Sequence, residues 1–244
     1  PRPMDQTTDD TRADKALETG GEPTVDFTGN TNPYINYQSI DLLLSLQHPR
    51  SDAYDEMCFF VMGQVKEILF KGLHFELFNA KARIQQDEID DALMLLNRST
   101  EFVELLLKIW HVVGTVAAEG FTQFRDYLDQ ASGQLSFMYR HVEFVLGNKD
   151  KQLASAHKNV PHVWPHIKEA LEAPSLYDEV IACLNRQGHT IDQEMLDRDW
   201  AAPCPSRGGV EQAWFEIYQD PSTSNRLYQL GEALINLDDA ISQY

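Results

Sequence analysis

Arg125 raises the first chemical question in this sequence, because a guanidinium set among aromatic side chains can hold both ends of an aromatic acid. In FTQFRDYL, Phe121, Phe124, Tyr127 and Leu128 recur at helical spacing and predict one apolar face, with Arg125 immediately beside it. A fixed cation there can grip a carboxylate through two parallel hydrogen bonds while neighbouring rings take the apolar end. The competing use of such an arginine is structural, as a helix cap or the partner of a scaffold carboxylate. Binding is favoured by the Ala131-Ser132-Gly133 turn just downstream, where a hydroxyl and a flexible backbone can approach a ligand. An aromatic acid suits the pattern.

Other candidate chemistry is weaker. Among His48, His74, His111, His141, His157, His162, His166 and His189 there is no HExxH, and no glutamate lies three residues before a histidine as a helical di-iron site requires. His162 and His166 are spaced to share one helix face, but Pro165 falls between them and leaves the helix start open, so two solvated histidines are the expectation. His141 reads as a packed, hydrogen-bonded residue. Cys204 lies in Pro-Cys-Pro, where a loop position outweighs a thiolate ligand. There is no P-loop, no GxGxxG and no GxSxG elbow.

The elements that must position Arg125 are helical. Cys58, Val61, Val65, Ile68 and Leu69 predict the core-facing stripe of a helix from about Ala53. Leu93, Leu96, Thr100, Val103, Leu107 and Trp110, with Leu95, Phe102, Leu106 and Ile109 beside them, predict a central helix that is apolar around most of its circumference. Further helices are expected over Phe121–Leu128, Ser136–Leu146, Val163–Leu171, Leu176–Asn185 and Val210–Tyr218, with prolines between them. Leu227, Leu230, Leu234, Leu237 and Ile241 keep helical register up to Tyr244, with no stop signal. No strand alternation competes, and there is no internal repeat. The fold class is all-α.

Composition sets the outer limits. The 244 residues, 43% hydrophobic and 10% aromatic, suffice for one main core. Residues 1–30 are polar and acidic and are expected to form a flexible arm, leaving 31–244 as one helical domain. A formal charge of −18 argues against nucleic acid or an anionic membrane as principal partner. Three cysteines without a CxxC pair point to a reducing compartment, hence the cytoplasm. No apolar run reaches membrane-spanning length, and no secretory h-region opens the chain.

FRDYL from Phe124, ASG from Ala131, YRHVEFVLGNK from Tyr139, EAPSLYDE from Glu172, GHTIDQ from Gly188 and RDW from Arg198 occur in an order that resembles the tryptophan 2,3-dioxygenases. These are heme enzymes that open the indole ring of tryptophan with molecular oxygen. DEMCFFVMGQVKEILFKGLHFEL from Asp55 is similar to the family's first long helix, and Tyr34 and Tyr37 are placed as in its N-terminal arm. The resemblance spans Tyr34 to Tyr244.

It implies a helical bundle of the tryptophan 2,3-dioxygenase type, a heme cofactor, L-tryptophan or a related aromatic amino acid and O2 as substrates, and a homotetramer of two intimate dimers. By the same resemblance Arg125 anchors the substrate carboxylate, Phe59 and Phe121 pack against its ring, and Ser132 lies near the heme edge or the substrate ammonium. Tyr34 and Tyr37 then close the site from a neighbouring subunit. Three departures stand out. Gly63 occupies the family's distal histidine position beside the heme, so catalytic acid–base help is not assignable there. Phe121 replaces a common tyrosine, and SGQLS lacks the phenylalanine usual after the turn's glycine. The proximal histidine that binds iron is expected beyond Tyr244, so no metal ligand is carried onto this chain. These departures keep two other outcomes in play: single-oxygen hydroxylation of an aromatic amino acid, and a non-catalytic helical binding or assembly protein.

Overall fold

The helical periodicities become helices throughout a computed structural model that describes residues 32–129, 131–202, 204 and 209–244, with no strand among them. The arm expected over 1–30 lies outside the described residues. In chain order the α-helices are α1 (Pro33–Gln38), α2 (Ile40–Leu44), α3 (Glu56–Gln85), α4 (Ile89–Val113), α5 (Ala118–Phe124), α6 (Phe137–Leu146), α7 (Lys151–Ser155), α8 (Trp164–Glu172), α9 (Leu176–Arg186), α10 (Gln193–Leu196), α11 (Val210–Ile217) and α12 (Arg226–Gln243). Short 3-10 turns cover Arg125–Leu128 and Gly133–Leu135. The described backbone groups into two compact units, one within residues 1–61 and 116–129 and the other within residues 62–115 and 130–244. No helix among the described residues is long and apolar enough to cross a membrane.

In the second unit the core is built from α3, α4, α6, α9 and α12. Phe70, Leu73, Leu77, Ala80 and Ile84 of α3 meet Leu96, Val103 and Leu106 of α4 and Leu230, Ala233 and Leu237 of α12. The fully buried stripe of α3 lies about 110° around the helix from the predicted one, at 100° per residue; of the predicted residues Val65 and Leu69 pack against the core while only partly buried, and Ile68 is 52% exposed. The reason is that α3 carries apolar residues on more than one face, so periodicity alone does not say which face is covered. The α4 expectation also changes: Leu96, Val103, Leu106 and Ile109 are buried, but Met94, Leu105 and Trp110 are exposed. Two hydroxyls on α4 bond back into the helix, Ser99 to the Leu95 carbonyl at 2.9 Å and Thr100 to that of Leu96 at 3.2 Å, which lets them sit on or beside its packed face.

Charged side chains fix the ends of α8 and α9. Lys149 donates to the carbonyls of Leu171 (3.0 Å) and Ala173, and Lys81 to that of Pro174 (3.1 Å), so two cations satisfy carbonyls at and just past the C-terminus of α8. Burial pushes the Lys149 ammonium down to about 8, against the pull of Asp178. Ser175 then caps α9 in a reciprocal box with Asp178. The other oxygen of Asp178 accepts from Arg198 Nε at 2.7 Å and pairs with its Nη2 at 2.5 Å, while Nη1 donates to the Ala202 carbonyl at 2.8 Å. The EAPSLYDE and RDW stretches are therefore structural in this unit: they lock one helix start to a downstream loop.

Candidate active site

The first unit presents Arg125 through a chain of local constraints that begins at Glu56. This buried carboxylate accepts from the backbone N–H groups of Arg50 and Ser51, both at 2.7 Å, and from the Ser51 hydroxyl at 2.5 Å. Burial alone raises its pKa, but the Ser51 hydroxyl, the two backbone donors and the Arg50 charge outweigh that and hold it below the ordinary value. The loop entering α3 is thereby pinned. Gly120 faces the same entry: a Cβ there would meet the Asp55 carboxylate oxygen at 1.9 Å, so a larger residue would have to push the Asp55 carboxylate aside.

This approach brings three rings together. Phe59 of α3 lies 5.8 Å from Phe121 and 5.4 Å from Phe124, and Phe121 meets Phe124 edge-on at 5.2 Å, centroid to centroid. Phe124 is fully buried, while Phe59 and Phe121 are partly accessible. The predicted helix over Phe121–Leu128 changes character here: α5 ends at Phe124, and Arg125–Leu128 winds as a 3-10 turn. The tighter winding, about 3.0 residues per turn, takes Tyr127 off the apolar face and leaves it 49% exposed. Asp129 follows with φ 48° and ψ −120°, an uncommon conformation for a residue with a side chain, which turns the backbone sharply out of the 3-10 segment.

Arg125 opens this 3-10 turn. Its side chain is exposed, and it makes no hydrogen bond or ion pair among the described residues. Among the described residues it therefore shows neither the cap contact nor the scaffold ion pair that a structural arginine would have, and it follows Phe124 of the ring cluster directly in the chain. Tyr34 and Tyr37, in the same unit on α1, are 66% and 85% exposed, with Asn32 capping the helix at the Tyr34 N–H (3.0 Å).

The remaining predicted positions lie in the second unit. Ser132 is exposed and accepts from the Gln134 N–H at 3.3 Å, capping the Gly133–Leu135 turn, so the small polar turn is present as expected. A Cβ on Gly63 meets nothing within 4 Å; its face of α3 is open. The histidine expectations are refined. α8 starts at Trp164, so His162 precedes the helix that carries His166, and the two do not share a helical face. His141 is packed, as expected, but against the His74 ring at 5.2 Å, and it makes no hydrogen bond among the described residues. A separate cavity of about 660 Å3 between α6, α9, α11 and α12 is lined by Tyr139, Tyr177, Trp214 and Tyr218, and none of the predicted site residues contributes to it. Sequence reasoning missed Glu56 as the anchor of the Phe59 helix, since its partners Arg50 and Ser51 precede it in a loop that fits no capping-box spacing.

Among the described residues the chain is an all-helical protein that carries an exposed arginine, without a partner among them, next in the chain to three tilted or edge-on phenylalanine rings. Comparison with known proteins gives that class a family. A family profile described as tryptophan 2,3-dioxygenase matches residues 19–244. Proteins named tryptophan 2,3-dioxygenase from Burkholderia mallei (strain ATCC 23344) and Burkholderia pseudomallei (strain K96243) are each 38% identical over 220 residues, which cover 90% of this chain and 72% of theirs. The chain belongs to the tryptophan 2,3-dioxygenase family, and it is an oxidoreductase of the dioxygenase class.

Proposed function

We propose that this protein uses heme to add both atoms of O2 across the C2–C3 bond of the indole ring of L-tryptophan or a close aromatic relative. The observation that carries the substrate reading is Arg125, a guanidinium without a partner among the described residues, next in the chain to a three-ring cluster. Arg125 takes the substrate carboxylate in a two-bond grip, and Phe59 and Phe121 pack on the indole. The balance of the reaction supports dioxygenation: breaking one carbon–carbon bond while inserting both oxygen atoms needs no outside reductant, whereas single-oxygen hydroxylation does.

Heme, when bound, supplies the iron that takes up and activates O2. The open face at Gly63 fits such a group, because no side chain among the described residues fills the space a Cβ would enter; Gly63 and Ser132 are the residues assigned to line it. Glycine at this position holds no proton and makes no side-chain hydrogen bond, so position 63 offers no base for the indole N–H. Tyr34 and Tyr37 have the exposure that an arm covering a neighbour's pocket requires, which supports a homo-oligomer of the tetrameric kind. Cys58, Cys183 and Cys204 form no disulfide among the described residues, which fits a cytoplasmic location. The test is mass spectrometry of the product made under 18O2 by the heme-loaded protein. A ring-opened product carrying two labelled atoms is expected; one labelled atom, with the ring closed, overturns the reading.

A further inference from the structure

Two imidazoles in the second unit stand at a separation that a metal ion would explain. His74 of α3 and His141 of α6 have ring centroids 5.2 Å apart, with planes inclined at 58°, so they are neither stacked nor hydrogen-bonded to each other. Neither makes a hydrogen bond or ion pair among the described residues. Both line a cavity of about 280 Å3 between α3, α6 and α8, and both also border a more open cleft of about 680 Å3; His166 of α8 borders the two as well.

The distance can be compared with coordination geometry. A zinc–imidazole bond of about 2.0–2.1 Å puts the ring centroid about 3.2 Å from the metal, and two such rings at a tetrahedral angle lie about 5.2 Å apart. Availability of the lone pairs points the same way. Burial first, and then the nearby His74, His166 and His157, push the His141 imidazole down to about 4. Burial and the Lys81 charge lower His74 as well. At neutral pH both rings are uncharged and can act as ligands. Lys81 on the smaller cavity and Lys71 on the cleft oppose a cation, but Glu76 shares the cleft with Lys71, and the Lys81 ammonium is held by the Pro174 carbonyl at 3.1 Å and lies 5.0 Å from the Phe78 ring centre. Glu169, on the same cavity wall, offsets it.

We propose that His74 and His141 bind one divalent ion of the zinc and copper class, with the exposed His166 turning in to complete the site. Among the described residues no three side chains already stand in a chelating group, so the third ligand arrives with the metal. Imidazole donors select zinc, copper or nickel over magnesium or calcium. Bound there, the ion would clip α3, α6 and α8 together. The site uses none of the residues assigned to heme or to the amino-acid substrate, and its test does not depend on that assignment.

The experiment is a calorimetric titration of the chelator-stripped protein with Zn2+, paired with thermal melting and with Cu2+ electron paramagnetic resonance. One zinc per chain is expected, with a raised melting temperature and nitrogen hyperfine splitting from at least two imidazoles. His74→Ala or His141→Ala should weaken zinc binding by more than about 100-fold, beyond the 10- to 100-fold cost of losing an outer-shell partner. His166→Ala should have a smaller effect, and His162→Ala none. His141→Phe keeps the packing volume if the alanine variant unfolds, and it must lose zinc equally. Absence of saturable zinc binding in the unsubstituted protein, or equal affinity after replacing both His74 and His141, overturns the proposal.

Discussion

Arg125 and Arg198 both stand in stretches that carry the family resemblance, yet the structure uses them in opposite ways. Arg198 is buried, pairs with Asp178 through two nitrogens and gives its third to the Ala202 carbonyl. Arg125 is exposed and has no partner among the described residues, on a 3-10 turn placed by the Phe59–Phe121–Phe124 cluster. Motif membership therefore does not assign a role. The number of donors already occupied separates the two: Arg198 is part of the frame, and Arg125, with none occupied among the described residues, fits the proposed role toward a ligand.

The comparison breaks first where the frame is cut. Asp178→Ala removes one half of the capping box of α9 and leaves the Arg198 charge, whose side chain is 8% exposed, without its carboxylate, which should cost about 3–5 kcal/mol of stability in urea denaturation. If that variant is as stable as its parent, the pair is not structural. At Arg125 the effects should invert. Arg125→Lys should weaken tryptophan binding by about 1.5–3 kcal/mol, the worth of hydrogen bonds to a charged group, and should move stability by no more than about 0.5 kcal/mol, as for an exposed residue without partners. A loss of stability with unchanged binding would reverse the assignment.

A smaller effect should separate the anchor of the site from the site itself. The folded-state pKa of Glu56 lies below its ordinary value of 4.5, so its contribution is complete above that pH and is lost as pH falls through the lower folded-state value. Denaturation curves of Glu56→Gln and its parent should differ most near neutrality and converge in acid; a constant gap from pH 7 to 3 would show that the charge is not what pins the loop. The smallest effect is expected at Tyr34 and Tyr37. Replacing both with alanine should leave the melt unchanged, since both are largely exposed, and weaken substrate binding by about 1 kcal/mol or less. Unchanged binding with an intact oligomer would remove α1 from the site.

What could be read from the sequence divides along the range of the interactions. Helix positions follow from local periodicity, and α6, α9 and α11 appear close to where it places them. The covered face of α3 does not follow, because Ile68, Phe75 and Phe78 are as apolar as Leu73 and Leu77, and only the packing of α4 and α12 chooses between them. The change from α to 3-10 winding at Arg125 has no glycine or proline to announce it. Asp178–Arg198 and His74–His141 join residues distant in sequence, and no spacing rule connects them. The pattern around Arg125 singles it out as a candidate; that it has no partner among the described residues needed the structure.

The most direct test compares tryptophan with tryptamine, which keeps the indole and the ammonium but lacks the carboxylate, on the heme-loaded protein and on Arg125→Met. If Arg125 is the carboxylate anchor, the parent should prefer tryptophan by roughly 10- to 150-fold, the equivalent of about 1.5–3 kcal/mol. The variant should bind the two ligands with affinities within about twofold of each other, a difference of less than about 0.5 kcal/mol. An Arg125→Met protein that keeps the full preference for tryptophan would contradict the assignment, because the carboxylate would then be held by another group.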